Sequence, residues 1–318
     1  MTVALLRAAV DVAGSSRFAR RLLILTFHRV LAEPDPLFPD EVDADAFRGL
    51  VEFLSRNFHL LRLSEAVQRL EAGTLPKRAL CITFDDGYRD NLEVAAPILR
   101  AAGVPATFFV ATGFLDGDCM WNDIVFETSR TVRAGVLDVS ALGLGLHTLG
   151  GMPSRRLFAH GVIAKLKYLD PRERARAVSE LAARAGVPMP RGLMMRPEQV
   201  AALHGLGMEI GAHTVTHPIL ARLDDASAER EIRESRSALR TITGADIAGF
   251  AYPNGRPGAD YAPAHARMVE EEGFLYAVST APGCASASSK RHELPRSPSW
   301  GEPGLRMALR LFRAYFGP

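Results

Sequence analysis

The chain has 318 residues, 47% of them hydrophobic, with 38 Lys and Arg against 36 Asp and Glu for a net charge of +2. That length lies between one large α/β domain and two ordinary ones and allows a sizeable core, while the balanced charge, with no long block of one sign, gives no nucleic-acid footprint. Three cysteines, Cys81, Cys119 and Cys284, are odd in number, far apart and without C-x-x-C spacing, which argues against a disulfide framework or a cysteine zinc site and fits a reducing compartment.

No run of about 18 apolar residues occurs, so no spanning helix is expected. The apolar N-terminus is broken by Arg7 and followed by Asp11, and reads as mature protein rather than signal peptide. Residues 3–22 predict one or two short amphipathic helices with arginines on the polar face, leading into a strand over 22–28 that ends in His28. Three prolines within 33–39 fix φ and remove donors, which makes a long loop. Residues 43–57 carry a helical stripe with Asp43 or Asp45 as N-cap. A short helix over 63–70 follows, with Ser64 as its cap.

The next run, over 79–84, is a buried strand that delivers Asp85 and Asp86 to Gly87. A helix over 90–102 ended by Gly103 and a strand over 104–110 complete a βαβ unit, so these strands should be parallel. From 115 to about 190 no strand is legible and helices at 122–134, 155–168 and 172–185 dominate; this reads as a mainly helical insertion with too few apolar stripes for a core of its own. Alternation resumes with helices at 196–206, 224–241 and 261–272 between strands at 208–213, 247–252, 275–279 and 293–296. About seven parallel strands separated by helices, with no fixed-period repeat, predict an α/β fold: a distorted (β/α) barrel forming a single catalytic domain. Its site would lie at the C-terminal strand ends, where Asp85, His213 and Asn254 fall.

His213-Thr214-Val215-Thr216-His217-Pro218 forms the second constellation. Two histidines four apart share a face of a helix, but these follow a strand and precede a proline, so a turn must bring them together. Imidazoles with a carboxylate suit a borderline divalent ion such as Zn²⁺, and one ligand short of closure such a site keeps a position for water. The alternative is a pair of hydrogen-bonded histidines near a strand end.

Together these motifs resemble the polysaccharide deacetylase family, the group sharing the NodB homology domain. Thr83-Phe84-Asp85-Asp86-Gly87 matches its first motif and His213 to His217 its second, H-[ST]-x-x-H. Phe250-Ala251-Tyr252-Pro253-Asn254-Gly255 keeps the phenylalanine, second proline and final glycine of the third, F-R-P-P-[YF]-G. The resemblance implies that Asp85 is the general base, that Asp86, His213 and His217 bind a divalent metal, and that the N–H at Asn254 helps hold the oxyanion. Ala251 stands where the family has an arginine, and Leu294-Pro295-Arg296 where it has L-x-H. Both departures are similar to a branch with a permuted catalytic domain, in which His28 at an N-terminal strand end would be the acid and Arg296 the cation that orients Asp85.

Asn254 and Tyr252, with Trp121 and Trp300 as stacking faces, are the candidate substrate contacts. His59, His147, His160, His204, His265 and His292 have no partner motif and are expected to be structural or on the surface. Residues 301–318 form a basic amphipathic helix that packs on the barrel or, with the N-terminal segment, touches a membrane surface. The expectation is a cytoplasmic, metal-dependent carbohydrate N-deacetylase acting on a nucleotide- or lipid-linked sugar or a glycan under assembly. The alternatives are a hydrolase of another amide or cyclic imide and a non-catalytic glycan-binding or assembly protein.

Overall fold

Ten strands form among the described residues, and those of the main sheet are apolar on both faces because both faces are covered. In the computed structural model, which describes residues 21–39, 41–116, 119–298, 309–311 and 314, the ten are β1 (Leu22–Phe27), β2 (His59–Leu60), β3 (Ala79–Phe84), β4 (Thr107–Val110), β5 (Gly135–Val139), β6 (Gly145–Leu149), β7 (Glu209–Ala212), β8 (Gly249–Ala251), β9 (Tyr276–Val278) and β10 (Ser297–Pro298). The main sheet runs β10-β1-β3-β4-β7-β8-β9, with β2 beside the start of β3. All its pairs are parallel. Leu22, Ile24, Ala79, Cys81, Phe109, Tyr276 and Val278 form an inner cluster, and the alternate residues Leu23, Leu25, Phe27, Leu80, Ile82 and Phe84 pack outward on the helices. Leu294 bridges to Val278 and Ser297 pairs with Leu25, so residues 294–298 span the gap between the first and last strands. The result is the distorted (β/α) barrel expected. Its narrowness depends on Gly211, where a Cβ would meet the Phe109 ring at 2.4 Å.

The helices are α1 (Ala44–Asn57), α2 (Leu63–Glu71), α3 (Ala96–Ala101), α4 (Trp121–Thr131), α5 (Met152–Leu166), α6 (Pro171–Ala185), α7 (Pro197–Gly205), α8 (Asp225–Thr243) and α9 (Pro263–Glu271). Asp43 caps α1 as expected, accepting from the N–H groups of Asp45 and Ala46. Ser64 does not cap α2. Arg62 takes the N-cap position without a side-chain bond, and the Ser64 N–H is satisfied instead by Glu209, whose carboxylate closes the barrel floor with Thr107 and Tyr276. The helix expected over 90–102 opens as a π-helical turn, Asn91–Ala95, before α3 begins. The last strand lies a few residues beyond the expected 293–296, because Leu294 makes only a bridge and pairing with β1 begins near Ser297.

The insertion differs more from expectation. Residues 135–149 form an antiparallel hairpin, β5 with β6, where no strand was legible. The reason is its exposed face: Val136 and Leu146 are 65% and 64% exposed, so the polar–apolar alternation that marks a half-buried strand is missing. The inward residues Leu137, Val139 and Leu149 meet Val125, Phe158, Val162, Val178 and Leu181 from α4, α5 and α6. The insertion therefore has a buried cluster of its own, contrary to the reading of too few stripes.

Arg130 of α4 ties the proline-rich loop to this unit, donating to both Asp35 oxygens at 2.9 and 2.6 Å. That hydrogen bonding holds the Asp35 carboxyl below its ordinary range. A depressed folded value means that the tie is fully present above the unfolded carboxylate range and is lost as pH falls through the folded value. Hydrogen exchange at Leu37, whose N–H donates to Asp35, should accelerate in Asp35→Asn at neutral pH and in the parent only in acid. Equal protection in both proteins at neutral pH would overturn the assignment.

The N-terminal helices expected over 3–22 lie outside the described residues, apart from residue 21 and the start of β1. So does most of the C-terminal amphipathic segment, but Leu311 is buried in the outer core and the Ala314 carbonyl accepts from Cys284. Among the described residues no helix is long and apolar enough to cross a membrane.

Candidate active site

Because β1 and β3 pair from Leu22 with Ala79 to Phe27 with Phe84, His28 and Asp85 leave adjacent strands at one level. β4 and β7 pair Val110 with Ala212, which brings His213 to the same rim. The chain must then turn sharply. Asp86, Thr214, His217 and Asn254 all have φ between +53° and +78°, and Arg78 is the one other non-glycine residue with positive φ among the described residues. Backbone strain is thus gathered at one end of the barrel. Gly87, at φ +93°, sits where a Cβ would meet Val110 at 3.0 Å.

Asp85 is gripped from inside the barrel. Arg296, 1% exposed, donates to both of its oxygens at 2.7 Å, while also reaching the Thr83 hydroxyl and the Ser279 carbonyl. Burial, the largest single influence, would raise the Asp85 carboxyl, but the charge and hydrogen bonds of Arg296 together with the nearby His213 and His28 outweigh it and hold the group below its ordinary range.

Asp86, His213 and His217 form a second group. Their ligand atoms lie within 4.8 Å of one another, and Asp86 Oδ1 is 3.5 Å from each histidine Nε2. Asp86 Oδ1 is buried with no hydrogen-bond partner. His213 Nδ1 meets the Ala251 carbonyl at 2.7 Å, so Nδ1 carries the proton and Nε2 presents a lone pair. Burial pushes His217 down to about 3, which keeps it neutral as a ligand must be. At His213 burial acts in the same sense, but the adjacent carboxylates raise the ring overall. An orphaned buried carboxylate oxygen facing two imidazole nitrogens fits a divalent cation. The turn carrying the histidines is pinned by Glu231 of α8, which accepts from Val215 N and Thr216 N, and by Gly113 N donating to the Val215 carbonyl.

These groups open into a cleft of about 290 Å³ that also includes His28, Thr26, Asn254 and Thr280. His28 is exposed, and its carbonyl accepts from Asn91 on the π-helical turn. Asn254 occupies a tight turn whose carbonyl accepts from the Thr280 hydroxyl. Tyr252 is buried beneath it, stacked on Tyr261 at 3.8 Å with its hydroxyl donating to the His292 carbonyl. Trp121 lines the cleft from the insertion, with the Arg174 guanidinium 4.8 Å from its ring centroid and its other contacts in the insertion core. Trp300 lies outside the described residues.

A model of the polysaccharide deacetylase family matches residues 72–270, well over half of the chain. The chain belongs to that family. A poly-β-1,6-N-acetyl-D-glucosamine N-deacetylase of Staphylococcus aureus is 25% identical over 174 residues, 54% of this chain and 60% of the relative. The chain thus spans less than two thirds of the length of the curated relatives it matches. Among solved structures, a Streptococcus pyogenes deacetylase, PplD, in complex with acetate has a TM-score of 0.62 at 19% identity, covering 93% of this chain and 98% of that one. IcaB from Ammonifex degensii has a TM-score of 0.58 at 15% identity, covering 93% and 97%. These likenesses show a shared fold.

Sequence reasoning missed several residues of this deacetylase-family site. His160 is exposed, as expected, and it also lines the cleft beside Phe126. Lys167 and Arg174 line it too, at positions that in sequence are ordinary polar-face residues of helices. A second recess of about 220 Å³ shares His28 and Asp86 and is walled by Arg29, Tyr88 and Asp123. There Arg29 pairs with Asp90 at 2.7 Å, and Asp123 accepts from the Tyr88 hydroxyl and the Met120 N–H, both at 3.0 Å. Burial pushes the Asp123 carboxyl up to about 7. The signal for this wall in the sequence is the acidic–aromatic spacing Trp121-Asn122-Asp123, of which Trp121 alone is a candidate contact from sequence.

Proposed function

We propose that the chain is a divalent-metal-dependent N-deacetylase that releases acetate from an N-acetylated amino-sugar glycan or glycan precursor. The observation that carries this is the juxtaposition of a carboxylate fixed by a bidentate arginine, Asp85 with Arg296, and a three-residue ligand set with an orphaned carboxylate oxygen, Asp86 with His213 and His217. Asp86, His213 and His217 would hold the ion, with Zn²⁺ best matched to two imidazoles and a carboxylate, and it would supply Lewis acidity at the acetamide. Asp85, kept anionic by Arg296, takes a proton from the attacking water. Asn254, at φ +60° on the cleft rim, would offer its backbone N–H to the developing oxyanion. His28, on the neighbouring strand end, returns a proton to the leaving amine. Membership of a deacetylase family and the names of its relatives support this assignment, and the glycan class follows from them.

The test is a paired measurement on the full chain: metal content by elemental analysis and acetate release from N-acetylglucosamine oligomers. One equivalent of divalent metal is expected, lost with activity on chelation and in His213→Ala, and regained by the parent alone when Zn²⁺ is restored. A chain with neither bound metal nor acetate release would not be this enzyme.

A further inference from the structure

We propose that Lys167 and Arg174 form an anion-recognition site on the insertion wall of the cleft, so that the accepted glycan bears a phosphate or carboxylate beside the N-acetylated sugar. This deepens the deacetylase reading and rests on it for the identity of the reacting group.

Four arginines are buried among the described residues: Arg155, Arg174, Arg236 and Arg296. Three of them spend their donors on protein. Arg155 donates to the carbonyls of Ser129, Arg130, Val132 and Gly150. Arg236 donates to those of Ile247, Glu272 and Gly273 and to Asp246. Arg296 holds Asp85. Arg174, 6% exposed, lies over the Trp121 ring and among the described residues makes a single side-chain hydrogen bond, from Nη1 to the Lys167 carbonyl at 3.2 Å, and no ion pair. A guanidinium has five N–H donors, so a planar array is left over in the wall of the cleft.

Lys167 stands on the same wall, half-buried and also without an ion-pair partner among the described residues. Burial lowers both cations from their ordinary values, and the charges of Asp260 on Lys167 and Asp170 on Arg174 offset it only in part. The nearest acids are committed elsewhere: Asp170 caps α6 through the N–H groups of Arg172 and Glu173, and Asp260 accepts from Arg256 and Tyr168. Of the cleft's own carboxylates, Asp85 is held by Arg296, and Asp86 faces His213 and His217 as the third member of the ligand set. A partly desolvated cation pair on a cleft wall away from the cleft's two carboxylates, which already have their own partners, is matched by an anionic substituent. A sugar phosphate and a uronate share that chemistry.

The experiment is isothermal titration of the zinc-loaded full chain with three probes: N-acetylglucosamine, N-acetylglucosamine 1-phosphate and an N-acetylglucosaminyl-glucuronate disaccharide. At least one anionic probe should bind about tenfold or more tightly than the neutral sugar, as charge-assisted hydrogen bonds imply. The anionic probe that gains names the source. The gain should shrink with added salt, vanish in K167Q/R174Q, fall in K167Q alone, and be largely kept in R174K. K167Q changes a half-exposed side chain and so reads the site without disturbing the packing of Trp121. Equal binding of all three probes overturns the proposal, and so does a gain that survives in K167Q/R174Q, since the metal would then be taking the anion. Acetate release from a neutral oligomer separates the two readings. If it proceeds without any anionic advantage, only the anion site fails. If anions bind through Lys167 and Arg174 but no substrate releases acetate, the deacetylase reading fails and the anion site stands.

Discussion

Asp85→Asn is expected to lower acetate release by a factor of about 10²–10⁴, the usual worth of a general base, while metal content stays at the parent level. The amide is nearly isosteric and leaves Asp86, His213 and His217 untouched, but it cannot take the proton. His28→Ala should reduce turnover on a similar scale, again with metal retained. The two variants should nevertheless differ in stability. His28 is exposed, so its removal should leave the unfolding midpoint unchanged. Asp85→Asn strips the buried Arg296 of its counter-charge and should lower the midpoint. Near-normal turnover in Asp85→Asn would remove it as the base. Near-normal turnover in His28→Ala would remove it as the acid.

Arg296→Met is expected to destabilise the protein by about 3–5 kcal/mol, the cost of leaving one member of a buried ion pair alone. Its partner is at the bottom of the cleft, fully engaged by two 2.7 Å hydrogen bonds, and water cannot replace the guanidinium inside the barrel. The double variant D85N/R296M, which removes both charges, should recover much of that loss without recovering activity. Urea unfolding of the parent, the two single variants and the double variant measures the coupling directly. Additive losses would mean that the pair is not a unit, and a loss under about 1 kcal/mol for Arg296→Met would mean that Arg296 does not sit where the structure puts it.

The metal-ligand set was legible because its parts are local. Asp86 follows a strand of apolar residues, and His213 and His217 lie within five residues of each other, so each part was visible by itself, while joining Asp86 to the two histidines came from the resemblance to the deacetylase family. Arg296 was legible only as a substitute, inferred from the arginine missing at Ala251. Its partnership with Asp85 joins positions 211 residues apart. The hairpin over 135–149 was not legible, because two of its apolar side chains face outward and a short strand is recognised chiefly by alternation. His160, Lys167 and Arg174 gave no signal for a different reason: on an isolated helix a polar-face residue that meets solvent and one that meets a cleft have the same pattern.

From its sequence alone this protein determined the βα alternation, the parallel sheet and the residue types gathered at its strand ends, since these depend on periodicity and on neighbours a few positions away. Tertiary structure alone decided which charges are spent and which are free. Arg155, Arg236 and Arg296 use their donors on the protein, whereas Arg174 keeps donors over in the cleft. That difference is set by which distant carbonyls and carboxylates each guanidinium reaches once the helices have packed, and no local pattern encodes it.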